Sequence, residues 1–121
     1  MSIVKELCVD NIQDAINAFE KGADRIEFCS NLDEDGLTPS TDDLIFLKKN
    51  IAIPVRVMVR PHSNSFNYNE DDLNKMKETI KFCKNQKFDG VVFGCLDDND
   101  ELDLNKINYL ADFAKPLNVI I

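Results

Sequence analysis

The residues of this chain that are best suited to chemistry form a Glu-apolar-Cys triplet that occurs twice, at 6–8 and at 27–29. Each triplet lies inside a short apolar run of the kind that forms a buried strand. Because side chains alternate between the two faces of a strand, each glutamate shares a face with its cysteine. Cys8 and Cys29 are therefore expected either to pack as small hydrophobes or to bind a soft ion such as Cu(I), which selects thiolates.

Charged side chains give the same strands a polar face. Arg25 shares the face of Glu27, and Arg56 and Arg60 share a face of the third apolar run. Buried charges need partners or a ligand, so two interpretations stay open. In one, ion pairs fill the interior, with Glu27 paired to Arg25 or Arg60. In the other, Arg25, Arg56 and Arg60 bind an anion, and an enzyme with Glu6, Glu27 or Arg60 as catalytic candidates acts on a small anionic metabolite.

The remaining candidates are weaker. His62 is the only histidine and is expected to be solvated, although its loop is where a ligand contact could lie. Cys83 belongs to a helical apolar stripe and is expected to pack, whereas the role of Cys95 at the end of a strand stays open. The spacing of these residues fits no zinc site or nucleophile turn.

Five apolar runs predict strands, and four patterns of helical period alternate with them. The predicted strands are 3–9, 25–30, 55–60, 90–95 and 117–121. Helix starts are predicted at Asn11, at a capping box of Ser40 and Asp43, at Asn69 and at Asp103, with Gly22 ending the first helix. The predicted inward residues are Ile12, Ala15, Ile16, Phe19, Leu44, Ile45, Leu47, Leu73, Met76, Ile80, Cys83, Leu104, Ile107, Leu110, Ala111 and Ala114.

This alternation predicts an α/β fold with a parallel sheet and right-handed crossovers. An open doubly wound sheet and part of a (βα)8 barrel both fit. Val9-Asp10-Asn11 follows the first strand where a nucleotide fold carries glycines, so no nucleotide cofactor is expected. A complete barrel needs about 250 residues. We therefore expect residues 1–121 to form one domain, the opening half of a TIM barrel, either truncated or pairing with another copy.

Composition narrows the class of protein further. The 121 residues carry a net charge of −8, with 44% hydrophobic and 30% charged residues. A negative surface repels phosphates, so neither a nucleic acid nor an acidic membrane is an expected partner. No apolar run approaches the roughly 20 residues of a membrane span. A soluble protein with free thiols in a reducing compartment is expected.

Taken in order, five segments of the chain resemble the copper homeostasis protein CutC family. These segments are Glu6-Leu7-Cys8-Val9-Asp10, Gly22-Ala23-Asp24-Arg25-Ile26-Glu27-Phe28-Cys29-Ser30, Gly36-Leu37-Thr38-Pro39-Ser40, Ile53-Pro54-Val55-Arg56-Val57-Met58-Val59-Arg60-Pro61 and Asp89-Gly90-Val91-Val92-Phe93-Gly94. The resemblance implies a TIM barrel, a cytoplasmic homodimer and a role in copper handling. It also implies that Cys8 and Cys29 are the cysteines that bind Cu(I).

Two departures from the family pattern concern the carboxyl ends of the strands. The family continues after Arg60-Pro61 with another arginine and a glycine pair, whereas this chain has His62-Ser63-Asn64. The family also carries a histidine-arginine segment after its fifth strand, beyond residue 121. The first departure weakens the expectation of an anion site in this loop, and whatever the second segment contributes to the mouth of the barrel is missing.

Overall fold

Five parallel strands and four helices alternate along the chain in the computed structural model, which describes residues 2–121. The strands are β1 (Glu6–Val9), β2 (Arg25–Phe28), β3 (Val55–Met58), β4 (Gly90–Val92) and β5 (Asn118–Ile120). The helices are α1 (Ile12–Glu20), α2 (Thr41–Asn50), α3 (Glu70–Asn85) and α4 (Leu104–Ala114), with a short 3-10 turn at Leu32–Glu34.

The order of the strands decides between the two predicted architectures. Each strand pairs in parallel with the next one along the chain, in the order β1-β2-β3-β4-β5. A doubly wound sheet reverses its strand order at a switch point, whereas a barrel adds strands sequentially. The fold is therefore a partial (βα)8 barrel, as the sequence predicts.

The two faces of the sheet have different surroundings. One face, which includes Ile26, Phe28 and Val57, is buried against the helices and forms the hydrophobic core with residues such as Leu47 and Ile80. The alternate residues lie on the opposite face, which no helix within residues 2–121 covers. This second face, here called the open face, is where the predicted functional residues are concentrated.

Capping side chains begin the helices where the sequence predicts. Asn69 and Asp72 form a complete capping box at the start of α3. The box predicted for α2 is only half formed, since Asp43 N–H donates to the Ser40 hydroxyl without a return bond. Lys21 caps the end of α1, and Gly22 follows it at φ +95°, a conformation that glycine adopts without steric cost.

Element boundaries and two inward positions differ from prediction. The strands are shorter than the apolar runs, and Ile3 lies outside β1 with 83% of its surface exposed. Leu104 is 60% exposed because it is the first residue of α4 and lies outside the helix–sheet contact. Ile45 is also exposed, since α2 buries Leu44 and Leu47 instead. No helix within residues 2–121 is long and apolar enough to cross a membrane.

Candidate functional site

Charged side chains near the amino-terminal ends of the strands pair with one another. Arg25 Nε lies 2.8 Å from Glu6 Oε1, its lateral neighbour in the parallel register. Arg56 Nε lies 2.9 Å from Asp89 Oδ2, and its Nη1 lies 3.8 Å from Glu6 Oε1. These four residues, here called the ion-pair level, neutralise each other at the end of the sheet opposite to that where barrel enzymes place their active sites.

The ion pairs predicted for Glu27 are wrong. Arg25 pairs with Glu6 because the two stand side by side in register, and Arg60 donates to backbone carbonyls instead. Glu27 forms no ion pair within the described part of the chain. Burial and the nearby negative charge of Glu6 raise the pKa of its carboxyl, despite the opposing effect of Arg56.

Cys8 and Cys29 come together on the open face, beyond the ion-pair level. Cys8 pairs with Glu27 in the sheet register, and Cys29 follows directly after β2. Cys8 is exposed and Cys29 is fully buried. The Cys29 thiol lies 3.6 Å from the Val9 carbonyl oxygen, and the neighbouring Cys8 contributes to its raised pKa. These two cysteines, here called the thiol pair, therefore lie at staggered heights on the same face of neighbouring strands.

Both members of the thiol pair are protonated at neutral pH. Burial, with a contribution from Cys8, raises the pKa of Cys29 to about 12. Partial burial and the negative charge of Glu27 raise the pKa of Cys8. Reactive cysteines have lowered pKa values, so this environment disfavours a nucleophile. A metal ion bound here would displace two protons.

A glycine closes the loop above Cys29. Gly36 has φ +92°, and a Cβ atom at this position would lie 3.3 Å from Cys29 Sγ. Ser30 and Leu37 exchange backbone hydrogen bonds of 2.8 and 2.7 Å on either side of this loop. The absent side chain thus lets the loop backbone lie close over the buried thiol.

Arg60 lies at the carboxyl-terminal end of the sheet and is held in an unusual way. It is 7% exposed, and its Nη1 donates to the carbonyl oxygens of Glu34 and Gly36 at 2.7 and 3.0 Å. Its guanidinium carbon lies 4.7 Å from the centre of the Phe66 ring. Arg60 Nε is buried and has no hydrogen-bond partner within residues 2–121. Arg60, Phe66 and Tyr68 all line one cavity of about 220 Å³.

The other sequence candidates are His62, Cys83 and Cys95, all of them buried or partly buried. His62 was expected to be solvated, but it is partly buried and its Nε2 lies 3.1 Å from Asp72 Oδ2. Asn64 N–H donates to its Nδ1, which fixes the proton on Nε2, the atom that donates to Asp72. Cys83 packs in the core, as predicted, and Cys95 is also buried. Desolvation raises the pKa of these two thiols to about 12 and about 11.

Asp89 and Asp72 are the partners that sequence reasoning missed. Asp89 precedes β4, where Gly90 pairs with Arg56, so alignment of the strands could have indicated it. Across residues 2–121, no group of three or more His, Cys, Asp and Glu side chains is arranged to hold a metal ion. The thiol pair offers two soft donors, and two thiolates suit a soft ion of low coordination number.

Comparisons with known proteins agree with this architecture. The CutC family model matches residues 3–121. The chain is 41% identical over 114 residues to the human copper homeostasis protein cutC homolog, an alignment that covers 94% of this chain and 42% of the human protein. It is 36% identical over 119 residues to a CutC family protein of Vibrio vulnificus, covering 98% and 48% of the two chains.

A solved structure shows the same arrangement in space. The crystal structure of a CutC protein from Streptococcus agalactiae superposes with a TM-score of 0.86 at 30% identity. The match covers 98% of this chain and 58% of that one, and the chain spans about half the length of the curated relatives it matches. With matching sequence, strand order and fold, the chain belongs to the CutC family.

Proposed function

We propose that this chain serves copper homeostasis by binding Cu(I) through Cys8 and Cys29. The observation that supports this most directly is the position of the two cysteines, which lie diagonally across neighbouring strands on the open face, near enough for each to raise or lower the pKa of the other. Thiolate sulfur is the protein ligand that selects Cu(I) over harder ions. The names of the human and mouse relatives, copper homeostasis protein cutC homolog, agree with this role.

The charges near the thiol pair favour a cation. Glu27, Glu6 and Asp10 all act on the Cys8 thiol in the direction that disfavours its anion. A bound Cu(I) ion offsets this repulsion when the thiols lose their protons. The two arginines of the ion-pair level are engaged by Glu6 and Asp89, and Arg56 offsets the charge of Glu27 only in part.

A titration of the reduced protein with Cu(I) against a competing chromophoric chelator tests this proposal. We expect one ion per chain in the parent and loss of tight binding in Cys8→Ser and in Cys29→Ser. Cys83→Ala is the matched control, because Cys83 is a buried thiol of the core on the helical side of the sheet. Binding that survives both serine variants would overturn the thiolate site.

A second function is favoured by the Arg60 cavity. The buried, unpartnered Arg60 Nε is a donor that an anionic ligand could satisfy, as in an enzyme acting on a small anionic metabolite. Inorganic phosphate is a simple probe for this site in isothermal titration calorimetry. Phosphate binding that is lost in Arg60→Met and kept in Cys8→Ser would support the interpretation as an enzyme that acts on an anionic metabolite. Absence of phosphate binding by the parent would count against it.

The remaining proposals rest on the family resemblance alone. We propose that residues 1–121 form one folding unit that corresponds to the amino-terminal half of a CutC-type barrel. A homodimer and a cytoplasmic location are proposed on the same ground. Gel filtration with light scattering tests the assembly, since a monomer at micromolar concentration would contradict it.

A further inference from the structure

A third sulfur lies beside the thiol pair on the open face. Met58 is the last residue of β3, and the register of β2 with β3 runs through Glu27 with Arg56 and Phe28 with Val57. If this register continues one residue beyond Phe28 and Val57, Met58 lies beside Cys29. Alternation puts Arg56 and Met58 on the same face of β3, which is the face of Cys8 and Cys29.

Distances to the loop at Gly36 show independently that the side chains of Cys29 and Met58 lie close together. The position that a Cβ atom would occupy at Gly36 lies 3.3 Å from Cys29 Sγ and 3.7 Å from Met58 Cε. Both side chains therefore converge beneath the same point of the loop backbone. The thioether end of Met58, rather than only its backbone, reaches the region of the buried thiol.

The two internal methionines of the chain have different environments. Met76 is 1% exposed and packs within the core stripe of α3. Met58 is only partly buried, and it lines the cavity on the open face together with Arg60. A methionine needed only for packing is expected among the buried residues of the core, as Met76 is. The position of Met58 leaves part of its side chain open to a ligand.

We propose that Met58 supplies a thioether as a third sulfur ligand to the Cu(I) ion held by Cys8 and Cys29. This inference rests on the proposed function, because it needs an ion at the thiol pair. On binding, the two thiols release their protons and the thioether donates a lone pair, while copper stays in the +1 state throughout. Thioether and thiolate are the ligands that soft cuprous ions select, so the third donor sharpens the preference for Cu(I).

X-ray absorption on selenomethionine protein tests the third ligand directly. The chain has three methionines, Met1, Met58 and Met76, and the selenium K-edge reports whether copper lies next to any of them. The samples are the Cu(I)-loaded parent, Met58→Leu and, as the matched control, Met76→Leu. Both substitutions keep a similar side-chain volume and are well tolerated in most cores.

We expect copper scattering at the selenium edge in the parent and in Met76→Leu, and none in Met58→Leu. The Cu(I) affinity of the sulfur protein should fall about tenfold or more in Met58→Leu, a loss comparable to that caused by removing a metal site's outer-shell partners. Met76→Leu should keep the parent affinity.

The outcomes separate this inference from the proposed function. A parent that binds Cu(I) tightly but shows no copper scattering at selenium would overturn the role of Met58 and leave the thiol pair in place. Copper scattering that persists in Met58→Leu would also overturn it. If the parent fails to bind Cu(I) in the chelator titration, both the proposed function and the role of Met58 as a third ligand are contradicted.

Discussion

The ion-pair level and the thiol pair share one face of the sheet, yet their interactions differ. Glu6 and Cys8 lie two positions apart in β1, roughly 7 Å along the strand. At the ion-pair level, each arginine meets a carboxylate at 2.8 or 2.9 Å. At the thiol pair, Glu27 forms no ion pair within residues 2–121, Arg56 offsets its charge only in part, and both thiols keep their protons.

This difference separates a structural role from a binding role. Buried charges that are paired with good geometry are complete without a ligand, whereas protonated thiols next to carboxylates can exchange their protons for a metal ion. Substitutions at the ion-pair level should therefore lower the free energy of unfolding and change the Cu(I) affinity little. Substitutions of the thiol pair should lower the Cu(I) affinity and change the free energy of unfolding little.

The largest expected effect is the pH dependence of Cu(I) affinity. Because the pKa of each thiol is raised above its ordinary value, both thiols stay protonated between pH 6 and 8, and binding releases two protons. The affinity should rise by about a hundredfold per pH unit. Chelator competition at several pH values, corrected for protonation of the chelator, measures this slope. A flat profile would mean that protonated thiols are not the ligands.

Disrupting the ion pairs of the ion-pair level should lower the stability of the fold and leave Cu(I) affinity unchanged. Arg56→Leu removes the ion-pair partner of the partly buried Asp89 carboxylate, while Glu6 keeps its pair with Arg25. We expect the free energy of unfolding in urea to fall by about 2 kcal/mol. The Cu(I) affinity should stay close to that of the parent, because Arg56 donates to carboxylates rather than to the thiols.

An exposed ion pair provides the control for Arg56→Leu. Asp112 and Lys115 lie 3.2 Å apart, with more than 70% of each side chain exposed. Asp112→Asn should change stability by less than about 0.5 kcal/mol. A large loss of copper affinity in Arg56→Leu would contradict the separation of the two levels.

The smallest expected effect on Cu(I) affinity comes from replacing Gly36 with alanine, for which Gly22→Ala is the control. Gly36 and Gly22 have nearly the same backbone angle, φ +92° and +95°, but only a methyl at Gly36 would press on Cys29 Sγ. Each change to alanine should lower stability by about 1–2 kcal/mol. Only Gly36→Ala should also weaken Cu(I) binding in the chelator titration. Equal copper affinity in both variants would show that the loop does not define the thiol site.

The fold could be predicted from the sequence because its determinants are local. Apolar runs, capping residues such as Asn69 and Asp103, and the absence of a glycine fingerprint after β1 all act within a few residues. The alternation of side chains also placed Cys8 and Cys29 on the open face. These features require no knowledge of which strand lies beside which.

The partners of the charged residues could not be predicted in the same way. Whether Arg25 meets Glu27 or Glu6 depends on the register of β1 against β2 and on rotamers, and the structure places Glu6 beside it. The carbonyl oxygens that hold Arg60 come from a loop more than twenty residues away. Such contacts depend on tertiary geometry, which neither periodicity nor composition encodes.

The most direct test of the copper site is the copper K-edge absorption spectrum of the reduced chain loaded with one equivalent of Cu(I). The thiol-pair account predicts a first coordination shell made only of sulfur, which Cys29→Ser disrupts and Cys83→Ala leaves unchanged. A first shell containing nitrogen or oxygen in the parent would contradict it, because it would place the ion on His62 or the carboxylates instead of on Cys8 and Cys29.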